Sequence, residues 1–333
     1  MSHVLPAIVA RTGAILQSLS VTSDSSVIVG VSGGPDSVAL AHVMLQLKLR
    51  GRVGEVFLAH INHGLRGSAS DADQTLVSQH AKEWNLPNAI WQADTTARAR
   101  EERKGIEETA RNIRYEFFEE LAVRHGAQFI LTAHTANDQA ETVIMHAVRG
   151  AGVRGLAGIP QMRKLGALSI IRPWLGVTRD EIEEYLLDQK LRFNRDESNE
   201  ELNYQRNRIR HTVIPALIEA YPDRSPVRAL AGLAHRMAKL DNFLASLTQE
   251  NLEMLLQPDG SINLSGLRNL QGFLLHGVVE AWVNLKIGCY RLTEIETRKI
   301  ERFLASTSRR TELRNGVSLL KKKDAVLIFC KTQ

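Results

Sequence analysis

The sequence predicts an α/β protein, with an open parallel sheet in an N-terminal domain and a mainly helical second domain that ends in a short β meander. Strand-like and helix-like segments alternate over the first 220 residues, as a parallel sheet with crossover helices requires. Long helical patterns with little strand signal follow them. The tail places Asn315-Gly316 between two alternating runs, which is a strong hairpin signal.

Short apolar runs rich in β-branched residues predict the parallel strands. They cover residues 27–31, 55–62, 88–92 and 128–134, and residues 168–172 are expected as an edge strand. Apolar residues at helical spacing predict helices over residues 37–49, 70–84, 107–124, 137–148 and 178–187. The first twenty residues are expected to form an amphipathic helix, because they lack the basic start and apolar run of a signal peptide.

Turn residues at positions 221–226 divide the chain into two predicted domains, residues 1–220 and residues 221–333. Helical periodicity in the second domain covers residues 227–256 and 267–285. A second turn at Lys323-Asp324 would extend the hairpin into a three-stranded meander. The sequence leaves the oligomeric state open, and a homodimer is one option.

The composition favours a cytoplasmic globular protein with no membrane partner. The 333 residues are 44% hydrophobic and 24% charged, and no apolar run approaches the roughly 18–20 residues that cross a bilayer. The two cysteines, Cys289 and Cys330, form no Cys-x-x-Cys pair, which argues against a zinc site, an iron–sulfur cluster and a disulfide framework. The net charge of +5 points to nucleic acid only if the basic residues cluster.

A glycine-rich turn joins the first strand to the first helix of the sheet. Its residues are Ser32, Gly33, Gly34, Pro35, Asp36 and Ser37. Glycines let the backbone approach an anion, and the free N–H groups at the start of the helix hold it. The sequence therefore predicts a phosphate-binding loop, although a plain strand–helix turn would have a similar composition.

The loop lacks the lysine that ends the Walker pattern of γ-phosphate-transferring enzymes. It carries Asp36 instead. An acid beside a phosphate is repulsive unless a cation lies between them, so Asp36 suggests bound Mg²⁺. The alternative role for Asp36 is a helix cap.

Two carboxylates three residues apart, Asp138 and Glu141, share one face of the helix predicted over residues 137–148. A cationic substrate needs such acceptors, and one of them could also hold Mg²⁺; the alternative is a solvated acidic face. His134 ends the preceding strand, where active-site groups of open α/β sheets gather. It could equally be a structural histidine.

Arginines concentrate in three segments. Arg111 and Arg114 lie three apart on the helix over residues 107–124, and could face a phosphate or pair with nearby glutamates. The others are Arg149 and Arg154 in a glycine-rich loop, and Arg206, Arg208 and Arg210 beside His211 in "NYQRNRIRH". Arginine forks match phosphate oxygens and guanine edges, so both later segments are candidates for RNA contact. A basic helix face is the alternative.

The loop "SGGPDS" resembles the PP-loop of the N-type ATP pyrophosphatases. Four further blocks sharpen the resemblance to the tRNA(Ile)-lysidine synthetase family: "HINHGLRGSASDAD", "GIEETARNIRYEFFEELA", "LTAHTANDQAETVIMHAVRGAGVRGLAGI" and "RPWLGVTRDEIEEYL" with "DESNEELNYQRNRIRHTVIPAL". They cover roughly the first 220 residues, and the likeness weakens beyond them. Two positions depart from the family pattern, because Asn62 and Asn137 stand where an acid is frequent.

The resemblance implies a Rossmann-like fold of the adenine nucleotide alpha hydrolase type and a specific reaction. ATP would adenylate the wobble cytidine of the CAU anticodon of tRNA(Ile), with Mg²⁺ as cofactor, and pyrophosphate would leave. Free L-lysine would then displace AMP to form lysidine. Longer family members carry a further C-terminal domain, so this chain is expected to be a short form.

The resemblance also implies roles for the candidate residues. Asp36, Asp138 and Glu141 would be catalytic, and Asp138 and Glu141 would also bind lysine. ATP would be bound by the loop 32–37 together with His63, Arg111 and His134. Contacts to tRNA are expected from Arg66, Arg149, Arg154, Arg206, Arg208 and Arg210, and from the second domain.

Two other functions remain as alternatives. One is a PP-loop enzyme that thiolates a tRNA cytidine, although such enzymes typically carry cysteines for sulfur transfer or a cluster. An amidotransferase relative would need a glutaminase domain or subunit, and neither cysteine stands in a context that suits its nucleophile. The other is a tRNA-binding module that has lost catalysis, against which the intact loop argues.

Overall fold

A computed structural model describes residues 6–194 and 205–330. Within these ranges, an N-terminal unit contains a six-stranded sheet in the order β3-β2-β1-β4-β6-β5. The strands are β1 (Val27–Gly30), β2 (Val56–Asn62), β3 (Asn88–Gln92), β4 (Phe129–Leu131), β5 (Met162–Leu165) and β6 (Leu168–Ile171). All neighbouring pairs are parallel except β5 and β6. The predicted parallel α/β fold is confirmed.

Residues 168–172 were expected as an edge strand, and this is wrong. β6 pairs with β4 on one side and with the antiparallel β5 on the other, so β5 is the edge. The run "MRKL" of β5 shows no clear alternation, which hid it in the sequence. Gly166, with φ +55°, provides the tight turn that joins the two strands.

Helices cover both faces of this sheet. They are α1 (Ala7–Ser18), α2 (Pro35–Leu49), α3 (Ser68–Glu83), α4 (Thr95–Glu102), α5 (Ile106–His125), α6 (Ala136–Val148), α7 (Val153–Leu156) and α8 (Arg179–Asp188). One core joins α1, α2, α3 and α8 to the sheet and buries Trp174 completely. The other packs Phe117 and Phe118 of α5 against β1 and β4. Burial on both faces explains why the parallel strands read as continuous apolar runs.

A third cluster extends this unit beyond residue 204. It contains α9 (Gln205–Arg208), a π-helical turn (Ile209–Val213), α10 (Ile214–Ala220) and the start of α11 (Pro226–Leu255). Ile209, Ile214, Val227 and Ala231 are buried together with Ala136 and Ala140 of α6. The first five residues of the predicted N-terminal helix and the stretch "DESNEELNY" of the quoted motif lie outside the described residues.

Contacts divide the chain into two compact units, Met1–Arg236 and Met237–Gln333. After α11, the second unit contains β7 (Ile262–Asn263), α12 (Leu264–Asn269), α13 (Gly272–Ile287), α14 (Glu294–Ala305), β8 (Arg310–Glu312), β9 (Val317–Lys322) and β10 (Ala325–Cys330). The predicted single helix over 267–285 is wrong, because extended residues at 270–271 separate α12 from α13.

The predicted meander is confirmed and gains a strand. β8, β9 and β10 are consecutive antiparallel neighbours, and the short β7 adds a fourth strand beside β10. Asn315 and Lys323 take φ +55° and +52° at the two predicted turns. In the described part of the chain, we find no helix long and apolar enough to span a bilayer.

Candidate active site

The glycine-rich loop lies at the carboxyl end of β1, in the middle of the sheet. The Ser37 hydroxyl accepts a hydrogen bond from the Ser32 amide at 3.0 Å and donates to the Gly34 carbonyl at 2.9 Å. Gly34 is the N-cap residue of α2 and supplies no side-chain cap, and Pro35 starts the helix. The first-turn N–H groups are therefore available to an anion. The alternative that Asp36 caps the helix is wrong, since Asp36 lies within the first turn.

The loop conformation requires glycine at position 33. Gly33 has φ +93°, and a Cβ built there would lie 2.6 Å from Oδ1 of Asp73. Asp73 is itself held, because it accepts hydrogen bonds from Arg66 at 2.7 Å and from the Asn194 amide at 2.8 Å. The backbone N–H of Asn194 donates to the Gly33 carbonyl at 3.1 Å. Two distant parts of the chain, residues 66–73 and Asn194, thus fix the turn.

Glu141 is fully buried and lies between arginines. Arg206 Nε donates to one of its oxygens at 2.6 Å, and Arg210 Nε donates to the other at 2.7 Å. Arg179 approaches Oε1 at 3.7 Å. A buried carboxylate needs such partners to remain ionised. The alternative of a solvated acidic face for Glu141 is wrong.

Asp138 divides its two oxygens between the helix cap and the arginines. Oδ2 accepts from the Thr135 amide at 2.8 Å in a capping box, while Oδ1 accepts from Arg206 at 3.2 Å and Arg179 at 3.4 Å. Arg179 also lies 3.7 Å from Asp36. It therefore links the phosphate loop to the helix that carries the other two carboxylates.

The pKa values of the two aspartates move in opposite directions. Burial raises the pKa of Asp36 to about 6; Arg179 opposes this shift and the Asp138 charge adds to it. Burial also opposes ionisation of Asp138, but Arg179, the Thr135 amide and Arg206 outweigh it and lower its pKa. Asp36 is therefore the better proton acceptor of the two near neutral pH.

The two predicted histidines flank this site as neutral bases. Burial lowers the pKa of His134 to about 4, and Asp138 opposes this shift while Arg172 adds to it. Burial, together with Arg114, lowers the pKa of His63 to about 4. His134 Nδ1 lies 3.0 Å from the Thr132 hydroxyl, and His63 Nδ1 lies 3.0 Å from that of Thr95.

The structure separates the arginines predicted to contact tRNA. Arg206 and Arg210 turn inward onto the carboxylates, and Arg66 pairs with Asp73 beside the loop. Arg208 and Arg154 are exposed. Arg149 donates to Gln205 at 2.9 Å. Contacts to tRNA by these residues stay a prediction.

Sequence reasoning missed Arg179, Asp73 and Asn194. Arg179 follows the Thr178 cap in "GVTRDEIEEYL", where a basic residue in the first turn of a helix runs against the helix dipole. This mismatch was a usable signal that Arg179 serves a site. The contact of Asp73 with Gly33 has no local signal, because Asp73 lies on α3 and Gly33 lies in the loop after β1.

Asp36 could hold Mg²⁺ together with phosphate oxygens. Its side chain is one-quarter exposed, whereas the oxygens of Asp138 and Glu141 already have donors. Across residues 6–194 and 205–330, no three His, Cys, Asp or Glu side chains group as metal ligands. Mg²⁺ commonly binds through one or two carboxylates, substrate phosphates and water, so the residues present fit such an ion.

Comparison with known families agrees with this geometry. Residues 7–217 match the model of the PP-loop domain. The chain belongs to the PP-loop family. A solved structure, the U34-tRNA thiolase NcsA from Methanococcus maripaludis with its [4Fe-4S] cluster, aligns over 70% of this chain and 78% of its own with a TM-score of 0.55. At 15% identity, it supports the fold alone.

Curated relatives are named tRNA(Ile)-lysidine synthase. The protein from Symbiobacterium thermophilum is 44% identical over 67% of this chain and 46% of its own length. That from Bacillus subtilis is 37% identical over 70% and 48%, and that from Coxiella burnetii is 33% identical over 80% and 57%. The chain thus spans about half the length of these curated relatives.

Proposed function

We propose that the protein is an ATP-dependent ligase that joins free L-lysine to the wobble cytidine of tRNA(Ile) with a CAU anticodon. The observation that carries this proposal is the 44% identity over 227 residues to a relative named tRNA(Ile)-lysidine synthase. The pairing of a phosphate loop with three nearby carboxylates supports it, because the reaction needs an anion site and a cation site side by side.

The loop would bind the β- and γ-phosphates of ATP as the leaving group. Backbone N–H groups at Gly33, Gly34 and the start of α2 suit this task, since they hold negative charge without donating a proton. The 2-carbonyl oxygen of cytosine would attack the α-phosphorus, so that the α–β bond breaks and AMP stays on the base. Mg²⁺ bound at Asp36 would neutralise phosphate charge.

The carboxylates would then receive the lysine. Its ε-amine, with a reference pKa of about 10.4, must lose a proton before it attacks. Asp138 and Glu141 would attract the ammonium group, and one of them would accept its proton, since Asp36 is assigned to Mg²⁺. A lysine that reaches Glu141 must displace Arg206 or Arg210 from it, so movement of these two arginines would accompany binding.

Transfer of labelled lysine tests the proposal. The protein is incubated with ATP, Mg²⁺, labelled lysine and unmodified tRNA(Ile) bearing CAU, and the tRNA is analysed for label. We expect label only when all components are present, and none with a tRNA whose wobble base is uridine. Incorporation of sulfur instead of lysine would indicate a thiolase, and binding without any transfer would indicate an inactive tRNA-binding module.

A further inference from the structure

Four arginines gather around Tyr115 on the carboxyl edge of the sheet. We call Arg111, Arg114, Arg163 and Arg172 the arginine cluster. The guanidinium carbons of Arg163 and Arg111 lie 4.8 Å and 5.4 Å from the centre of the Tyr115 ring. These side chains come from α5, β5 and the residue after β6, so tertiary structure brings them together.

The arginine cluster has no acidic partner within the described ranges. Among residues 6–194 and 205–330, no carboxylate lies within 4.0 Å of any of the four guanidinium groups. Glu116, which follows Tyr115 on α5, pairs with Arg98 at 2.7 Å instead. The four positive charges therefore repel one another without compensation by this part of the chain.

Burial makes this arrangement costly for Arg172 and for part of Arg163. Arg172 is only 5% exposed. Its Nη1 donates to the Pro160 carbonyl at 2.8 Å, but its Nε and that of Arg163 are buried without a hydrogen-bond partner in the described structure. Burial, with repulsion from Arg163 and Arg111, lowers the pKa of Arg172, and Tyr115 only partly opposes this. Buried hydrogen-bond donors without a partner are costly, and on positively charged side chains they indicate an anion-binding site.

The position of the arginine cluster separates it from the phosphate loop. The loop follows β1, His134 follows β4, and Arg172 follows β6, and these strands are adjacent in that order. Two strand spacings correspond to about 10 Å. An anion at the arginine cluster would therefore lie across the β4 end from the pyrophosphate, on the far side of His134.

We propose that the arginine cluster binds a backbone phosphodiester of the tRNA anticodon loop next to the base that is modified. The inference rests on the proposed function and adds an RNA-anchoring site to it. Planar guanidinium forks match phosphate oxygens and fix the register of a nucleic acid. Arg111 then contacts RNA rather than ATP, in contrast to the role that its helix position first suggested.

Paired binding measurements test this site. The variants are Arg163→Gln, Arg111→Gln and their double variant, because both side chains are more exposed than Arg172 and their loss should leave the fold intact. Arg124→Gln is the matched control, since Arg124 is an exposed arginine on the same helix α5. Each protein is titrated with an anticodon stem-loop RNA bearing CAU and, separately, with a non-hydrolysable ATP analogue.

We expect the double variant to bind the stem-loop at least about tenfold more weakly. The slope of log affinity against log salt concentration should fall by roughly one to two, as the loss of one or two phosphate contacts requires. Affinity for the ATP analogue should stay within twofold, and Arg124→Gln should match the wild type in both titrations. Thermal melting checks that the variants remain folded.

Two results would overturn the inference. A loss of affinity for the ATP analogue with unchanged RNA binding would assign the arginine cluster to nucleotide phosphates. Unchanged affinity for both ligands would make it a structural feature. A wild-type protein that binds the ATP analogue but no stem-loop would instead count against the proposed function itself, so the two failures can be told apart.

Discussion

At the scale of single residues, the site places Asp36, a carboxylate whose ionised form is disfavoured by burial, beside an anion-binding turn. Asp36 has a raised pKa because it is buried near a second carboxylate. Its negative charge therefore opposes folding at neutral pH. Retention of such a group is typical of a functional site, where the charge serves a ligand instead of the fold.

Asp36→Asn should stabilise the protein at pH 7 while it impairs pyrophosphate release. A shift of the pKa from 3.8 to about 6 corresponds to an upper limit of about 3 kcal/mol. The folded state takes up a proton as pH falls through 6, so the advantage of the variant should shrink between pH 6 and pH 4. Urea unfolding of both proteins across this pH range measures the difference between their free energies of unfolding. A constant difference at every pH would contradict the assigned pKa.

Arg66 and Asp73 should behave as a unit in ATP binding. Asp73 lies against Gly33, and Arg66 neutralises it at 2.7 Å. Arg66→Gln should expose the pyrophosphate to an uncompensated negative charge and weaken ATP binding by about tenfold, the order expected for one close charge near a partly exposed site. Asp73→Asn in the same protein should restore part of the loss.

Isothermal titration of the two single variants and the double variant with an ATP analogue gives the coupling free energy between Arg66 and Asp73 in ATP binding. Additive losses in the double variant would mean that the pair does not act through charge compensation. If Arg66→Gln weakens tRNA binding but leaves ATP binding unchanged, Arg66 contacts RNA, as its sequence position first suggested.

At the scale of elements, a buried polar contact joins helices α2, α3 and α8. His42 Nδ1 lies 2.8 Å from the Tyr185 hydroxyl, and its ring packs at 5.4 Å from Trp84. His80 stacks on the same tryptophan at 4.4 Å. The contact ties three helices together on one face of the sheet, behind the phosphate loop that α2 follows.

This contact should make the fold sensitive to acid. Burial, with the nearby His80, lowers the pKa of His42 from 6.5 to about 4. As the pH falls, His42 takes up a proton in the unfolded chain before it does so in the folded chain. Its contribution to the free energy of unfolding is therefore fully present above about pH 6.5 and declines toward pH 4, by about 3 kcal/mol for this shift. His42→Gln should be less stable at pH 7 but lose less between pH 7 and pH 4.5.

Denaturant unfolding at the two pH values provides the comparison. His235→Gln, at an exposed position on α11, is the control and should follow the wild type. A wild-type-like loss in His42→Gln would exclude His42 as a source of acid sensitivity.

Local patterns predicted α2, α3, α5, α6 and α8 to within about two residues at each end and located the phosphate loop, but they missed the short helices α4 and α7. The loop was predictable because its six residues are contiguous, and the Asp138–Glu141 pair because it follows helical spacing. The partners of these carboxylates could not be predicted from local sequence, since Arg206 and Arg210 lie 65 and 69 residues beyond Glu141. Their basic segment favoured RNA contact, and only tertiary structure shows that two of its arginines turn inward.

At the scale of the whole molecule, positive charge is uneven along the chain. Residues 291–333 contain eleven lysines and arginines against five acidic residues, more than the net charge of +5 for the entire sequence. In this segment α14 and the strands β8 and β9 carry exposed basic residues such as Lys299, Arg310 and Lys322. This distribution supports the proposal that the second unit adds affinity for tRNA.

Truncation should show where the first unit ends. A fragment of residues 1–236 keeps Val227 and Ala231 in the cluster with α6 and α10, whereas a fragment of residues 1–220 loses them. Exposure of that apolar face should cost about 3–5 kcal/mol and lower the melting temperature by about 10 °C. Both fragments should bind tRNA more weakly than the full chain.

Calorimetry of the two fragments measures the difference. Val227→Ala in the longer fragment should reproduce part of it, and Ala229→Ser, at the neighbouring exposed position, should not. Equal melting temperatures for the two fragments would contradict the packing of α11 onto the first unit.

The most direct measurement follows the products of ATP in the presence of lysine and tRNA(Ile) with a CAU anticodon. ATP labelled at the α- and γ-phosphates distinguishes the two bonds that could break. We expect AMP and pyrophosphate in equal amounts when lysine and tRNA are both present. Without lysine, pyrophosphate should stop at no more than one equivalent per tRNA, and no free AMP should appear. Release of ADP and inorganic phosphate, or no turnover by the folded protein, would contradict it.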